Sequence, residues 1–167
     1  DLQILATKHA IETREVNRSL LNDLVADVQH QGVVALVRAS SSGVRADLLA
    51  FVQQRLVDKT QASLLLLVLD EVQDPHNLGA CLRSADAAGV DAVVVPADNS
   101  VGLTPVVRKV ASGAAESVPL FQVTNLQRAL SELQEAGVWV YGAAGEAESS
   151  LYELDLRGHV ALIMGAE

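Results

Sequence analysis

From Leu64 onward the chain repeats one pattern: a short unbroken apolar run, a polar break, then a segment with helical spacing. A strand with one wet face alternates apolar and polar residues. Leu64 to Leu69 is apolar at every position and must be covered on both faces. That requirement points to an α/β fold with a mostly parallel sheet and helical crossovers. The pattern predicts strands at Leu64–Leu69, Ala92–Val95, Val118–Gln122, Val138–Tyr141 and Val160–Met164. Helices are predicted at Leu78–Ala88, Thr104–Ala111 and Asn125–Ala136, the last closed by Gly137. With 50% hydrophobic but only 3% aromatic residues, aliphatic layers are favoured over an aromatic-rich sandwich.

The first 38 residues predict a helix at Leu2–His9, a β-like segment at Ile11–Val16, a helix at Ser19–Asp27 and a strand at Val33–Val37. This is too little for an independent core. A small polar stretch from Ala39 to Gly43 leads to a helix at Arg45–Val57 and a second polar break at Asp58–Ser63. The expected organisation is the end of a small α/β domain over 1–38, a linker and connecting helix over 39–62, and the main domain over 63–167. The boundary falls near Ser42. The chain opens within a helical pattern and without Met, so it is expected to start inside a domain.

A formal charge of -9 opposes broad contact with nucleic acid, which needs a basic surface. Any such binding must rest on positive charge focused at a few places, with Arg38, Arg45, Arg83, Arg108 and Lys109 as candidates. The single cysteine, Cys81, allows no disulfide within the chain, and no Cys or His cluster has metal-ligand spacing, so no metal is expected. The longest apolar run is far too short to span a bilayer, and the first residues lack a signal pattern. A reducing cytosol is the expected compartment.

Open parallel sheets bind ligands beyond the carboxyl ends of their strands. The first strand is followed by the polar loop Asp70-Glu71-Val72-Gln73-Asp74-Pro75-His76-Asn77-Leu78-Gly79, without the G-x-G-x-x-G of a nicotinamide site. Glycines gather later, at Gly142 and Gly145 after the fourth strand and Gly165 after the fifth, so close backbone approach to a ligand is expected there. On position alone, Asn77 is an N-cap for a helix starting at Leu78, and Arg83 is an exposed i,i+3 partner of Asp86. Glu167 is a solvated residue beyond a strand, and His30 and Gln31 end a helix.

Asp70 through Val90 resembles the first motif of the SpoU/TrmH branch of the SPOUT methyltransferases. The similarity continues through Lys109-Val110-Ala111-Ser112-Gly113-Ala114-Ala115-Glu116 and reaches the start of a second motif at Leu162-Ile163-Met164-Gly165-Ala166-Glu167. The segment from His30 to Ala35 resembles the end of the branch's small RNA-binding domain, so the likeness covers nearly the whole chain. Within the branch it lies nearest the enzymes that methylate a guanosine ribose 2′-hydroxyl of 23S ribosomal RNA.

The resemblance implies a deep trefoil knot holding S-adenosylmethionine (AdoMet), and a homodimer whose active site draws on both subunits. It implies a catalytic set of Asn77, Arg83 and Glu167, in which the arginine acts on the ribose hydroxyl while Asn77 and Glu167 orient the reacting groups. Cofactor contacts are implied at Gly142, Ala143, Ala144, Gly145, Met164 and Gly165, and RNA contacts at His30, Gln31, Arg108 and Lys109. Two departures stand out. Ala143 replaces the Thr common in the cofactor loop, and the sequence stops at Glu167, before the Ser/Asn-rich third motif. A chain ending there is expected to lack one wall of the cofactor pocket. The rival expectations are a non-catalytic RNA-binding or ribosome-assembly factor on the same fold, and a transfer-RNA 2′-O-methyltransferase.

Overall fold

The computed structural model describes residues 2–25, 30–36, 47–58 and 63–165. It divides into two compact units, Asp1–Arg38 and Ala39–Glu167. In the first, α1 spans Leu2–Lys8 and α2 spans Arg18–Leu24, with Asn17 Oδ1 accepting from Leu20 N at 2.9 Å as the cap. None of its described residues is buried. The strands expected at Ile11–Val16 and Val33–Val37 do not form over the described residues, which reach only Leu36 in the second case. Apolar, β-branched sequence makes a strand only where a second strand takes up its backbone hydrogen bonds, and the described part of this unit offers none.

In the second unit α3 (Leu48–Val57) leads to β1 (Leu64–Leu69), α4 (Pro75–Ala87), β2 (Ala92–Pro96), α5 (Pro105–Ala111) and α6 (Ala114–Ser117). Then come β3 (Leu120–Val123), α7 (Leu126–Glu135), β4 (Trp139–Gly142), a 3-10 turn at Leu151–Glu153 and β5 (His159–Met164). The five strands form one parallel sheet in the order β3-β2-β1-β5-β4. The predicted strands are present, with β3 starting two residues later than expected because Val118 and Pro119 complete the turn out of α6. The short helix α6 was not anticipated: four residues show too little periodicity to be seen in sequence.

Both sheet faces are covered, as the unbroken apolar runs require. Leu67, Leu69, Val93, Val95 and Leu120 pack under α4, α5 and α6, while Leu64, Leu66, Val68, Val94 and Phe121 pack under α3 and α7. Phe51 of α3 stacks tilted on Phe121, ring centroids 5.0 Å apart. At the amino end of β1, Asp91 Oδ2 accepts from Leu65 N at 2.8 Å and its other oxygen pairs with Arg55, which pins α3 to the sheet. Gly137, at φ +90°, closes α7 with its N–H donating to Gln134 O at 3.0 Å, as the sequence predicts. No helix among the described residues is long and apolar enough to cross a membrane.

Helix α4 begins earlier than expected. Its N-cap is Asp74, whose Oδ1 accepts from His76 N at 2.8 Å, and Pro75 fills the first helical position, where a missing N–H costs nothing. Asn77 is therefore not the cap but a first-turn residue. Two residues on, Gly79 meets α5: a Cβ there would lie 2.6 Å from Val110 Cβ and 3.1 Å from Val107 O. The branched Val110 cannot swing aside. Gly79→Ala is expected to destabilise the protein by about 1–3 kcal/mol through overpacking, despite alanine's better helix propensity. A lowered urea midpoint checks this, and an unchanged or raised midpoint would show that the two helices separate freely.

Candidate active site

The strand order reverses direction at β1. From β1 the chain winds outward through β2 to β3, then crosses to β4 at the far edge, and β5 fills the gap. A crevice for ligand is expected where two neighbouring connections diverge, beyond the carboxyl ends of β1 and β5. The register places there what the sequence nominated. Leu69 is opposite Met164, and Gly142 is opposite Ile163. The lip is tied by Asp70 N donating to Met164 O and Ala143 N donating to Ile163 O, both at 2.9 Å. Thus Gly142, Ala143, Met164 and Gly165 lie on adjacent strand ends, with Ala144 and Gly145 continuing from β4.

The glycines of this lip are informative for what does not explain them. A Cβ built at Gly142, Gly145 or Gly165 meets nothing within 4 Å, and none of the three has positive φ. Neither packing nor backbone conformation within the described chain demands glycine. The space above these glycines is open, so the residues present leave room for a cofactor to lie against bare backbone. Strain gathers nearby: Glu71 after β1 and Asn99 after β2 are both left-handed, at φ +58° and +59°. Asparagine tolerates this, whereas for Glu71 it costs on the order of 1 kcal/mol. No sequence signal marked Glu71.

The lip is acidic: Asp70, Glu71 and Asp74 follow β1, and Glu146 and Glu148 follow β4, before the chain crosses to the amino edge of the sheet, where Asp155 and Arg157 precede β5. Arg157 binds Asp155 at 2.8 Å and its hydrogen bonds hold that exposed carboxyl below its usual range. The capping box between Ser150 and Glu153 folds the loop on itself. Polyanion therefore has no favourable approach across this edge. A concavity of about 230 Å³ between the starts of α3 and α7 is lined by none of the lip residues.

Asn77 and Arg83 are both exposed on α4. Six positions separate them, which is roughly 9 Å along the axis and about 120° around it. One chain does not bring them together on one face. Glu167 lies outside the described residues, as do Arg38 and Arg45. The pairing of Arg83 with Asp86 is not made. Asp86 Oδ1 accepts instead from Ser117 Oγ of α6 at 2.7 Å, and Arg83 has no ion pair among the described residues. Magnitudes explain the preference. An exposed i,i+3 ion pair is worth about 0.2–0.5 kcal/mol, against roughly 1.5–3 kcal/mol for a hydrogen bond to a charged group, less where exposed.

Of the expected RNA contacts, Arg108 pairs with Glu116, while Lys109 is exposed with no ion pair among the described residues. His30 uses both ring nitrogens: Gly32 N donates to Nδ1 and Nε2 lies 2.9 Å from Asn22 Oδ1, so the ring donates through Nε2. Gln31 is exposed at the tip of that turn, at φ +50°. Burial raises the Cys81 thiol above its ordinary range, which disfavours the thiolate. Among the described residues no cluster of three metal-ligating side chains exists.

Residues 64–167 match the SpoU rRNA methylase family, and residues 1–42 match the RNA 2′-O ribose methyltransferase substrate-binding family. A 23S rRNA (guanosine-2′-O-)-methyltransferase RlmB from Shewanella oneidensis is 56% identical over 151 residues, covering 90% of this chain and 59% of that protein. The enzyme of the same description from Xylella fastidiosa is 52% identical over 167 residues, covering 100% of this chain and 65% of its own length. The chain thus spans about three-fifths of these relatives. Among solved structures, a TrmH-family protein from Porphyromonas gingivalis superposes with TM-score 0.57 at 32% identity, over 63% of this chain and 43% of that one. The SpoU methyltransferase AviRb of Streptomyces viridochromogenes, solved with AdoMet, shares the fold with TM-score 0.60 at 20% identity, over 72% of this chain and 47% of its own.

Proposed function

The chain belongs to the SpoU rRNA methylase family, and from that premise we propose that its protein methylates a guanosine ribose 2′-hydroxyl of 23S ribosomal RNA in the bacterial cytosol, with AdoMet as donor. The observation that carries the reading is the lip itself: glycines that the described chain does not require, brought by two adjacent strands to the ligand-binding edge of the sheet. The RlmB enzymes, named for this activity and 56% and 52% identical to the chain, support it.

Gly142, Ala143, Ala144, Gly145, Met164 and Gly165 would hold the cofactor against bare backbone. AdoMet supplies a methyl group already activated by a sulfonium, so the side chains have only to align the ribose hydroxyl and ease loss of its proton. The acidic lip suits a cationic donor better than RNA. The planar fork of Arg83 suits an RNA phosphate and the adjoining 2′-hydroxyl, where its charge lowers the cost of forming an alkoxide. Asn77 and Glu167 orient these groups. Because Asn77 and Arg83 lie on different flanks of α4, a complete site calls for a second copy of the chain, and the homodimer is part of the proposal. RNA is gripped by Lys109 and the unit carrying His30 and Gln31, while Arg108, expected to contribute, is paired with Glu116.

The full-length protein, incubated with methyl-tritiated AdoMet and ribosomal RNA lacking the modification, is expected to leave label in a 2′-O-methylguanosine. Cofactor binding without transfer to any RNA would replace this reading with that of a non-catalytic RNA-binding factor. Transfer to transfer RNA alone would correct the substrate.

A further inference from the structure

We infer that Ser117 is a positioning residue for Arg83: by engaging Asp86 it keeps the guanidinium free for RNA. The inference rests on the methyl-transfer reading for the role of Arg83. Asp86 lies one helical turn beyond Arg83, the spacing at which an exposed carboxylate and guanidinium on one helix pair. Instead Asp86 is drawn to α6, where Ser117 Oγ donates to it at 2.7 Å and also lies 3.3 Å from Ala114 O in the same turn. The preceding residue of α6, Glu116, is itself committed to Arg108. The short helix therefore engages the Asp86 carboxylate, and Arg83 is left exposed without an ion pair among the described residues.

The consequence is chemical. A guanidinium bonded to a carboxylate has given up donors that would otherwise meet a phosphate, and the carboxylate presents a like charge to the incoming RNA. Removing the Ser117 hydroxyl releases Asp86 to compete for Arg83, with the modest occupancy that an exposed pair commands.

In the full-length protein, Ser117→Ala is expected to lower kcat/KM for RNA about two- to fivefold while the KM for AdoMet stays unchanged. Adding Asp86→Asn should restore the loss, since the amide carries no charge to compete. A merely structural role predicts the opposite, because Asp86→Asn cannot rebuild the lost hydrogen bond. Unchanged activity in Ser117→Ala, or a double variant as impaired as the single, overturns the inference while leaving the methyltransferase reading intact. Arg83→Ala is the control: if it keeps full activity, the assigned role of Arg83 fails and this inference fails with it.

Discussion

Arg83→Lys is expected to lower kcat/KM for methyl transfer by about 10²-fold or more while leaving the protein folded. The side chain is exposed and has no ion-pair partner among the described residues, so its replacement costs the fold little. Lysine keeps the positive charge but loses the rigid fork that holds two oxygens at once. A compact ammonium on a flexible stem cannot fix both a phosphate and the neighbouring hydroxyl in one geometry, and a small misplacement of the hydroxyl is costly in rate. Circular dichroism and the thermal midpoint should match the parent, and the defect should appear in single-turnover methyl transfer. A Lys variant with near-parental rate would show that a point charge suffices, and the argument from the planar fork would fall.

Asp91→Ala should have the largest effect on stability, roughly 2–4 kcal/mol. Its carboxylate joins Leu65 N and Arg55 with side-chain exposure of 16%, and Arg55 is 23% exposed. Truncation leaves one backbone N–H at the entry to the central strand and one largely covered guanidinium without their acceptor. The penalty is therefore desolvation without compensation, which exceeds the worth of the pair itself. Asp91→Asn should cost less, since an amide oxygen can still accept from Leu65. Adding Arg55→Met to Asp91→Ala should recover part of the loss by removing the orphaned cation. Urea midpoints with an unchanged slope measure all three. Equal losses for Ala and Asn would show that charge pairing, and not the strand hydrogen bond, dominates.

The parallel sheet was legible in the sequence because a strand buried on both faces has no freedom in its pattern. Leu64–Leu69 could not be placed anywhere else in a folded chain, and its limits in the structure match the apolar run residue for residue. The same reasoning failed in the first unit. Ile11–Val16 and Val33–Leu36 carry strand-forming residues, but pairing is decided by a partner, and none is present among the described residues. The lip glycines were visible as a group because they follow successive strands. Their meeting was a matter of strand order: β5 lies between β1 and β4, although β2 and β3 intervene in sequence.

Side-chain competition was harder still to foresee. From sequence, Arg83 and Asp86 are partners at helical spacing, and Asn77 stands at the start of an apolar pattern. Local spacing ranks contacts only within one element. It could not see Ser117, which is 31 residues from Asp86, nor Val110, which leaves no room for a Cβ at Gly79. The sequence alone determined which segments must be buried and which chemical groups stand at strand ends, because burial and periodicity are properties of a single segment. Which groups meet was decided only by the tertiary structure, since a hydrogen bond across the sheet or between helices depends on where the chain returns.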